Sequence, residues 1–373
     1  MWRFLFVDKG AKKCWCPYLR LRGLACYNSS HAPHRVNPLS GSFYRWGFFF
    51  LLMSNNRSTR QSLPVPQNFT KQFHDENFLV QQLLDRGLIC SDVSVLCSIL
   101  RTIGYYRLTG YLYPFRKSND EAYEDGTTLE KIWRIYSFDR RLRLCVMDAL
   151  ARIEVAFRAK VMQYHSAFCN GDPFAYCDPT AMPGLRGSRF SEFLDAMDKA
   201  INQAASANDP AVIHHNQLYG RSKVPVWVLM ENLSFGDVGK YYEALPPLVQ
   251  QQVANEFGIW PGAFRGWVNL LRRVRNICAH QGRLWNRKIN MSISYSFGNS
   301  QSLADLYACV SIQSALRYTT LFTALSLCAW MLKSIRPESK WKERVKKLLD
   351  DYSDISLADM GFPSNWRQLR LWQ

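Results

Sequence analysis

From about residue 73 the apolar positions of this chain recur at spacings of three and four, the pattern of helices that bury one face. Phe78, Leu79, Leu83 and Leu84 make a first short helix stopped by Gly87, and Val93 to Ile103 a second that ends at Gly104. Thr127 or Thr128 can cap a long helix whose stripe runs Ile132, Ile135, Phe138, Leu142, Cys145, Val146, Ala149, Ile153 and Ala156. Its opposite face carries Arg140, Arg141, Arg143 and Arg152. Pro- and Gly-containing stretches at 170–189 and 206–225 read as loops. Val226 to Leu233 resumes apolar structure, Asp237 can cap a helix through Leu245, and Pro246-Pro247 opens the next one. A helix from Pro261 or Gly262 to about His280, a long apolar helix from Leu303 to Leu332 and a charged one at 338–350 complete the reading. Strand-like alternation occurs only at Met291 to Ser296. The fold class is mainly α.

The first 60 residues differ. Residues 1–52 hold eight Lys or Arg against the single acid Asp8 and show no sustained helical period, so 1–60 reads as a basic arm, and a start at Met53 would leave most of it out. Cys14, Cys16, Cys26, His31 and His34 do not follow a standard zinc spacing. Beyond the arm the organisation reads as an N-terminal helical and aromatic segment at 61–125, a helical domain at 126–335, and a charged helix and tail at 336–373.

Charge narrows the partners. The 373 residues contain 47 Lys+Arg and 30 Asp+Glu, a net charge of +17, and +10 remains without the arm. A chain this basic meets a polyanion, either nucleic acid or an acidic membrane surface. The best apolar run, Trp46 to Met53, is too short to span a bilayer. Eleven cysteines are scattered along the chain, several among helical apolar residues, as expected of reduced thiols in the cytoplasm.

The candidate chemistry lies in Arg272–Arg287, where one histidine, an arginine cluster and two asparagines meet at a helix end marked by Gly282. Histidine moves protons near neutral pH and arginine neutralises phosphate, a pairing suited to cleavage of RNA by its own 2′-OH. On a helical wheel Phe264, Trp267, Val268, Leu271, Val274 and Cys278 share one face, and Asn276 and His280 are i, i+4 neighbours away from it. Arg275 lies roughly 140° from His280, toward the apolar stripe, and needs an acidic partner. Glu154 is the best candidate.

Arg275-Asn276-x3-His280 has the form of the R-x4-6-H motif of HEPN nucleases, and the run Arg275–Arg287 closely resembles the signature of the Abi-like (AbiD/AbiF) abortive-infection family. Further segments fit in order: Tyr105–Tyr111 with Tyr113-Pro114-Phe115, Tyr136–Arg143, Arg152-Ile153-Glu154 with Arg158, and Leu233–Gly236. The resemblance covers about residues 75–335. Where members often have a second His, this chain has Gln281. The resemblance implies a HEPN-type helical bundle with an N-terminal helical extension, a metal-independent endoribonuclease of phage defence without cofactor, and a homodimer in which two motifs meet.

On this reading His280 is the acid/base group, Arg275 stabilises the phosphorane or braces the site, and Asn276 orients the phosphate or His280. Glu154, Arg158 and Asp139 support the site. Arg140, Arg143, Arg273, Arg283, Arg287, Tyr106 and Arg107 are candidates for holding RNA by phosphate contact and stacking. The competing reading is a non-cutting module that holds a structured non-coding RNA on its basic face. A DNA-binding regulator is weaker, because no helix-turn-helix spacing stands out.

Overall fold

A 40-residue helix forms the spine of the bundle and decides where everything else packs. The computed structural model describes residues 72–118, 120–220, 223–291, 293, 303–310 and 319–373. The chain divides into Met1–Thr70 and Lys71–Gln373, and every described residue belongs to the second unit. The Cys14–His34 donor set and the basic arm lie outside the described residues.

The helices are α1 (Glu76–Asp85), α2 (Val93–Ile103), α3 (Tyr105–Leu112), α4 (Leu129–Phe168), α5 (Ser188–Ser206), α6 (Pro210–Tyr219), α7 (Val226–Asn232), α8 (Phe235–Ala244), α9 (Pro247–Glu256), α10 (Pro261–Ala279), α11 (Ala304–Val310), α12 (Leu321–Ile335) and α13 (Trp341–Asp351). Among the described residues the only β pairing is three isolated bridges. The mainly α expectation therefore holds. None of the helices among the described residues is long and apolar enough to cross a membrane.

The spine, α4, starts where Thr128 Oγ1 accepts the amide of Lys131 at 3.2 Å. At 1.5 Å per residue it is about 60 Å long. It contacts α3, α7, α8, α9, α10, α12 and α13. Its expected stripe is buried from Ile132 to Ile153, with Cys145 and Ala156 half-buried at the margins. At its middle the Phe157 ring meets Phe235, Tyr242, Phe257 and Phe264 edge-on, locking α4, α8, α9 and α10 into one aromatic centre. Residues Leu321 to Leu332 of α12 are buried on every side, the behaviour of a helix at the centre of a bundle.

Four expectations differ. The apolar run from Leu303 is not one helix: Thr319 pairs its backbone with Ile289 in both directions, at 3.0 and 2.9 Å, and α12 starts only after Thr320. A β-bridge there satisfies the Thr319 amide and carbonyl outside any helix. The backbone pairing falls at Ile289, while Met291 and Ile293 form no strand and the rest of that candidate lies outside the described residues. The expected loop at 206–225 contains α6, which Asp209 caps and Pro210 opens. Finally, α8 is capped by Ser234, whose Oγ accepts the amide of Asp237.

Near the C-terminal end of α4, His165 is 1% exposed and its Nδ1 lies 2.7 Å from the Tyr241 hydroxyl. Burial pushes the imidazole below its ordinary 6.5. An unfolded His165 takes up a proton near 6.5 while the folded one does not, so the unfolded state binds more protons in that window. Stability should fall as pH drops from about 6.5 through the folded value. Urea midpoints measured from pH 7.5 to 5 should show a shallower decline in His165→Gln than in the native chain.

Candidate active site at the end of α10

Helix α10 buries Phe264, Trp267, Val268, Leu271, Val274 and Cys278, the face read from the wheel. It ends at His280 in a Schellman arrangement: the Gly282 amide bonds the Ile277 carbonyl at 2.7 Å, and the Gln281 amide bonds that of Cys278 at 3.0 Å. This motif needs a left-handed residue after the cap, normally glycine. Here Gln281 takes it, with φ 56°, at a conformational cost of about 1–2 kcal/mol. Gly282 fits for a different reason: a Cβ there would sit 3.3 Å from both the Ile277 carbonyl and its side chain, so these would have to give by a few tenths of an ångström. His280 is exposed, and its imidazole has no hydrogen bond to any described residue.

Arg275 points the other way, as expected. Its Nε lies 3.6 Å from Glu154 Oε2 on α4. The other oxygen of Glu154 lies 3.3 Å from Arg158, which donates onward to the Leu233 carbonyl at 3.0 Å. One carboxylate thus ties α10 to α4, and Arg158 ties both to the turn before α8. Glu154 is 12% exposed at its side chain, so the network is protected from full solvent screening. Asn276 meets His280 through the backbone, its carbonyl accepting the His280 amide at 3.0 Å, and its Oδ1 lies 3.4 Å from Arg275 Nη1. Cys278, beside the motif, has its thiol pushed up to about 12 by burial and is no nucleophile near neutral pH.

The segment after His280 is held by Asp139, which is fully buried. Its Oδ1 accepts the amides of Trp285 at 2.6 Å and Leu284 at 3.1 Å. Its Oδ2 takes the Tyr111 hydroxyl at 2.6 Å and the Arg143 guanidinium. Burial raises the carboxyl above its ordinary value, and Tyr111, Arg143 and the two amides oppose that rise without cancelling it. A guanidinium and amides can only donate, so this shell is made for the ionised form. Tyr111 and Phe115 also stack on the Trp285 ring, each at 6.4 Å between centroids.

These contacts reassign several sequence candidates. Arg143 is 5% exposed and bound to Asp139, so it does not face an RNA groove. Arg283 donates to the Gly110 carbonyl and lies over Trp285 at 5.9 Å, which makes it an internal strut. Arg107 spends Nη1 on the Gln281 carbonyl at 2.6 Å. Arg140, Arg273 and Arg287 are exposed, the last two also touching the carbonyls of Asn290 and Arg283 at 3.3 Å. Tyr106 is 82% exposed, whereas Tyr111 from the same aromatic run is in the core.

The five sequence segments singled out before are therefore parts of one assembly around the end of α10. A model of the family described as Abi-like protein matches residues 98–286, which contains all of them but the last residue, Arg287. The chain belongs to the Abi-like protein family. No curated protein and no solved structure matches it. Within this family member, sequence reasoning missed what Asp139 holds. The available signal was an aspartate between Phe138 and Leu142 on the buried side of α4, where an ionised group must have partners.

Removing Asp139 leaves Arg143 buried without a counter-charge, so Asp139→Ala should cost about 3–5 kcal/mol. Pairing Asp139→Leu with Arg143→Met should recover only part of this, since the amides of Leu284 and Trp285 still lose their acceptor. Urea unfolding of the three proteins measures both.

Proposed function

We propose that this Abi-like protein is a metal-independent HEPN-type endoribonuclease of phage defence. It cleaves RNA by attack of the substrate's 2′-OH on the adjacent phosphorus. The observation that carries this reading is the contrast within one motif. His280 is exposed at a helix end with an imidazole that has no hydrogen bond to a described residue, while Arg275, five residues earlier, is braced by Glu154. An unencumbered imidazole suits proton transfer. A guanidinium held by one edge keeps N–H groups for a phosphorane oxygen. The family assignment supports the abortive-infection context.

The same contrast favours a site shared between two copies. The two side chains diverge on the helix, so one motif presents them poorly to a single phosphate. Leu144, Ala151 and Val155 form an exposed apolar stripe on α4, spaced seven and four residues apart. It adjoins the edge that carries Glu154 and Arg158. A second copy seated there would bring the two motifs to one interface.

RNA cleavage should survive EDTA and leave 2′,3′-cyclic phosphate and 5′-OH ends, and DNA should resist. His280→Ala should lower the rate by about 10²–10⁴ and remove phage protection while leaving the fold intact. End-mapping of total RNA after incubation decides this. A His280→Ala protein that cuts at the native rate overturns the assignment. RNA that is bound but never cut by the native chain moves the reading to the RNA-holding module.

Phosphate contacts should make RNA affinity fall linearly with salt on a log–log plot. Charge reversal at Arg140, Arg273 and Arg287 together should flatten that slope. Mixing Arg275→Ala and His280→Ala chains should restore part of the activity if each site takes Arg from one copy and His from the other.

A further inference from the structure

Resting on that reading of His280, the structure assigns Arg107 as a positioning residue that fixes the imidazole through the backbone of Gln281. The sequence places Arg107 in an aromatic and basic run that looks like an RNA-contact surface. In the fold its Nη1 instead donates 2.6 Å to the carbonyl of Gln281, the residue directly after His280. The two residues are 174 apart in the chain, so this contact joins α3 to the end of α10.

Three features make this tie matter more than an ordinary surface hydrogen bond. Gln281 holds a left-handed conformation that a residue with a side chain leaves readily, so the turn needs an outside restraint. The Schellman bonds use the amides of Gln281 and Gly282 but leave the Gln281 carbonyl to Arg107. The His280 imidazole has no hydrogen bond of its own to a described residue, so its direction follows from the backbone on either side. On one side that backbone is the last turn of α10; on the other it is Gln281. The next fixed points, the Arg283 strut on Gly110 and the Asp139 grip on Leu284 and Trp285, come three to five residues after His280. Outside the backbone bonds of the helix end itself, Arg107 is the restraint nearest to the group that moves the proton.

A positioning role and a phosphate contact give different signatures. Arg107→Ala should lower kcat for RNA cleavage on the order of 10-fold or more, since small misplacement of a reacting group is costly. KM, RNA affinity and its salt slope should stay within about twofold. Arg107→Lys keeps a cationic donor and should recover part of kcat. The decisive coupling is with Gln281→Gly, which adopts the left-handed turn without strain. In that background Arg107→Ala should cost at least about threefold less than in the native chain.

A second readout does not depend on activity. In ¹H–¹³C spectra of the full chain, the His280 ring signal should shift or broaden in Arg107→Ala, while those of buried His165 and His215 stay in place. The native melting temperature, compared across variants, checks that the chain remains folded. A fall in affinity and salt slope at unchanged kcat would make Arg107 an RNA contact and overturn the proposal. An unmoved His280 signal would overturn it as well. If the native chain cuts no RNA, the ribonuclease reading fails, and the His280 signal alone still decides whether Arg107 sets the ring.

Discussion

The architecture of the candidate site depends on one buried carboxylate. Asp139 has no access to water and must be satisfied entirely from within, by a tyrosine hydroxyl, a guanidinium and two backbone amides. Each donor comes from somewhere different: Tyr111 from α3, Arg143 from one turn along α4, and the amides from the segment that leaves α10. An ionised group in a low-dielectric interior tolerates no missing partner. The N-terminal helices, the spine and the loop after His280 are therefore held in register by the need to neutralise a single charge. The aromatic stack of Tyr111, Trp285 and Phe115 closes over the same point and keeps water out.

The arginines show how little net charge says about where cations are used. Arg143, Arg158, Arg275 and Arg283 all contact partners inside the molecule, and Arg141 lies over the Tyr352 ring. Among the described arginines of the motif segments and of Arg272–Arg287, the exposed ones are Arg140, Arg141, Arg273 and Arg287. A basic composition thus divides into cations that brace helices and a smaller set that can attract a polyanion.

Local signals in the sequence carried most of the helices and half of the site. The α10 stripe was legible because six apolar residues at helical spacing leave one possible buried face. That placement also exposed the need of Arg275 for an acid, and Glu154 was the acid available on the neighbouring helix. The break at Thr319 was not legible, because Thr and Ser sit among apolar residues without a Gly or Pro to mark it, and the bridge to Ile289 is purely tertiary. The start of α6 was written in Asp209-Pro210, a cap followed by a first-turn proline, but the surrounding Gly and Pro obscured it. Arg140, Arg141 and Arg143 look equivalent along the chain. Only the side of α4 that meets Tyr111 and Leu284 separates the buried one from its neighbours.

The spine also acts as a ruler. Asp139 and Glu154 are 15 residues apart on one helix, about 22 Å by its rise. The chain that both carboxylates grip must cover that interval between Arg275 and Leu284. Five helical steps give about 7 Å, and the residues that follow turn back on the helix end at Gln281 and Gly282 before they reach Leu284. The long side chains of Arg275 and Glu154 make up part of the remaining interval. The histidine thus sits between two anchors whose separation is set by the spine. Insertion or deletion of residues between Arg275 and Leu284 would act first on the turn that carries it.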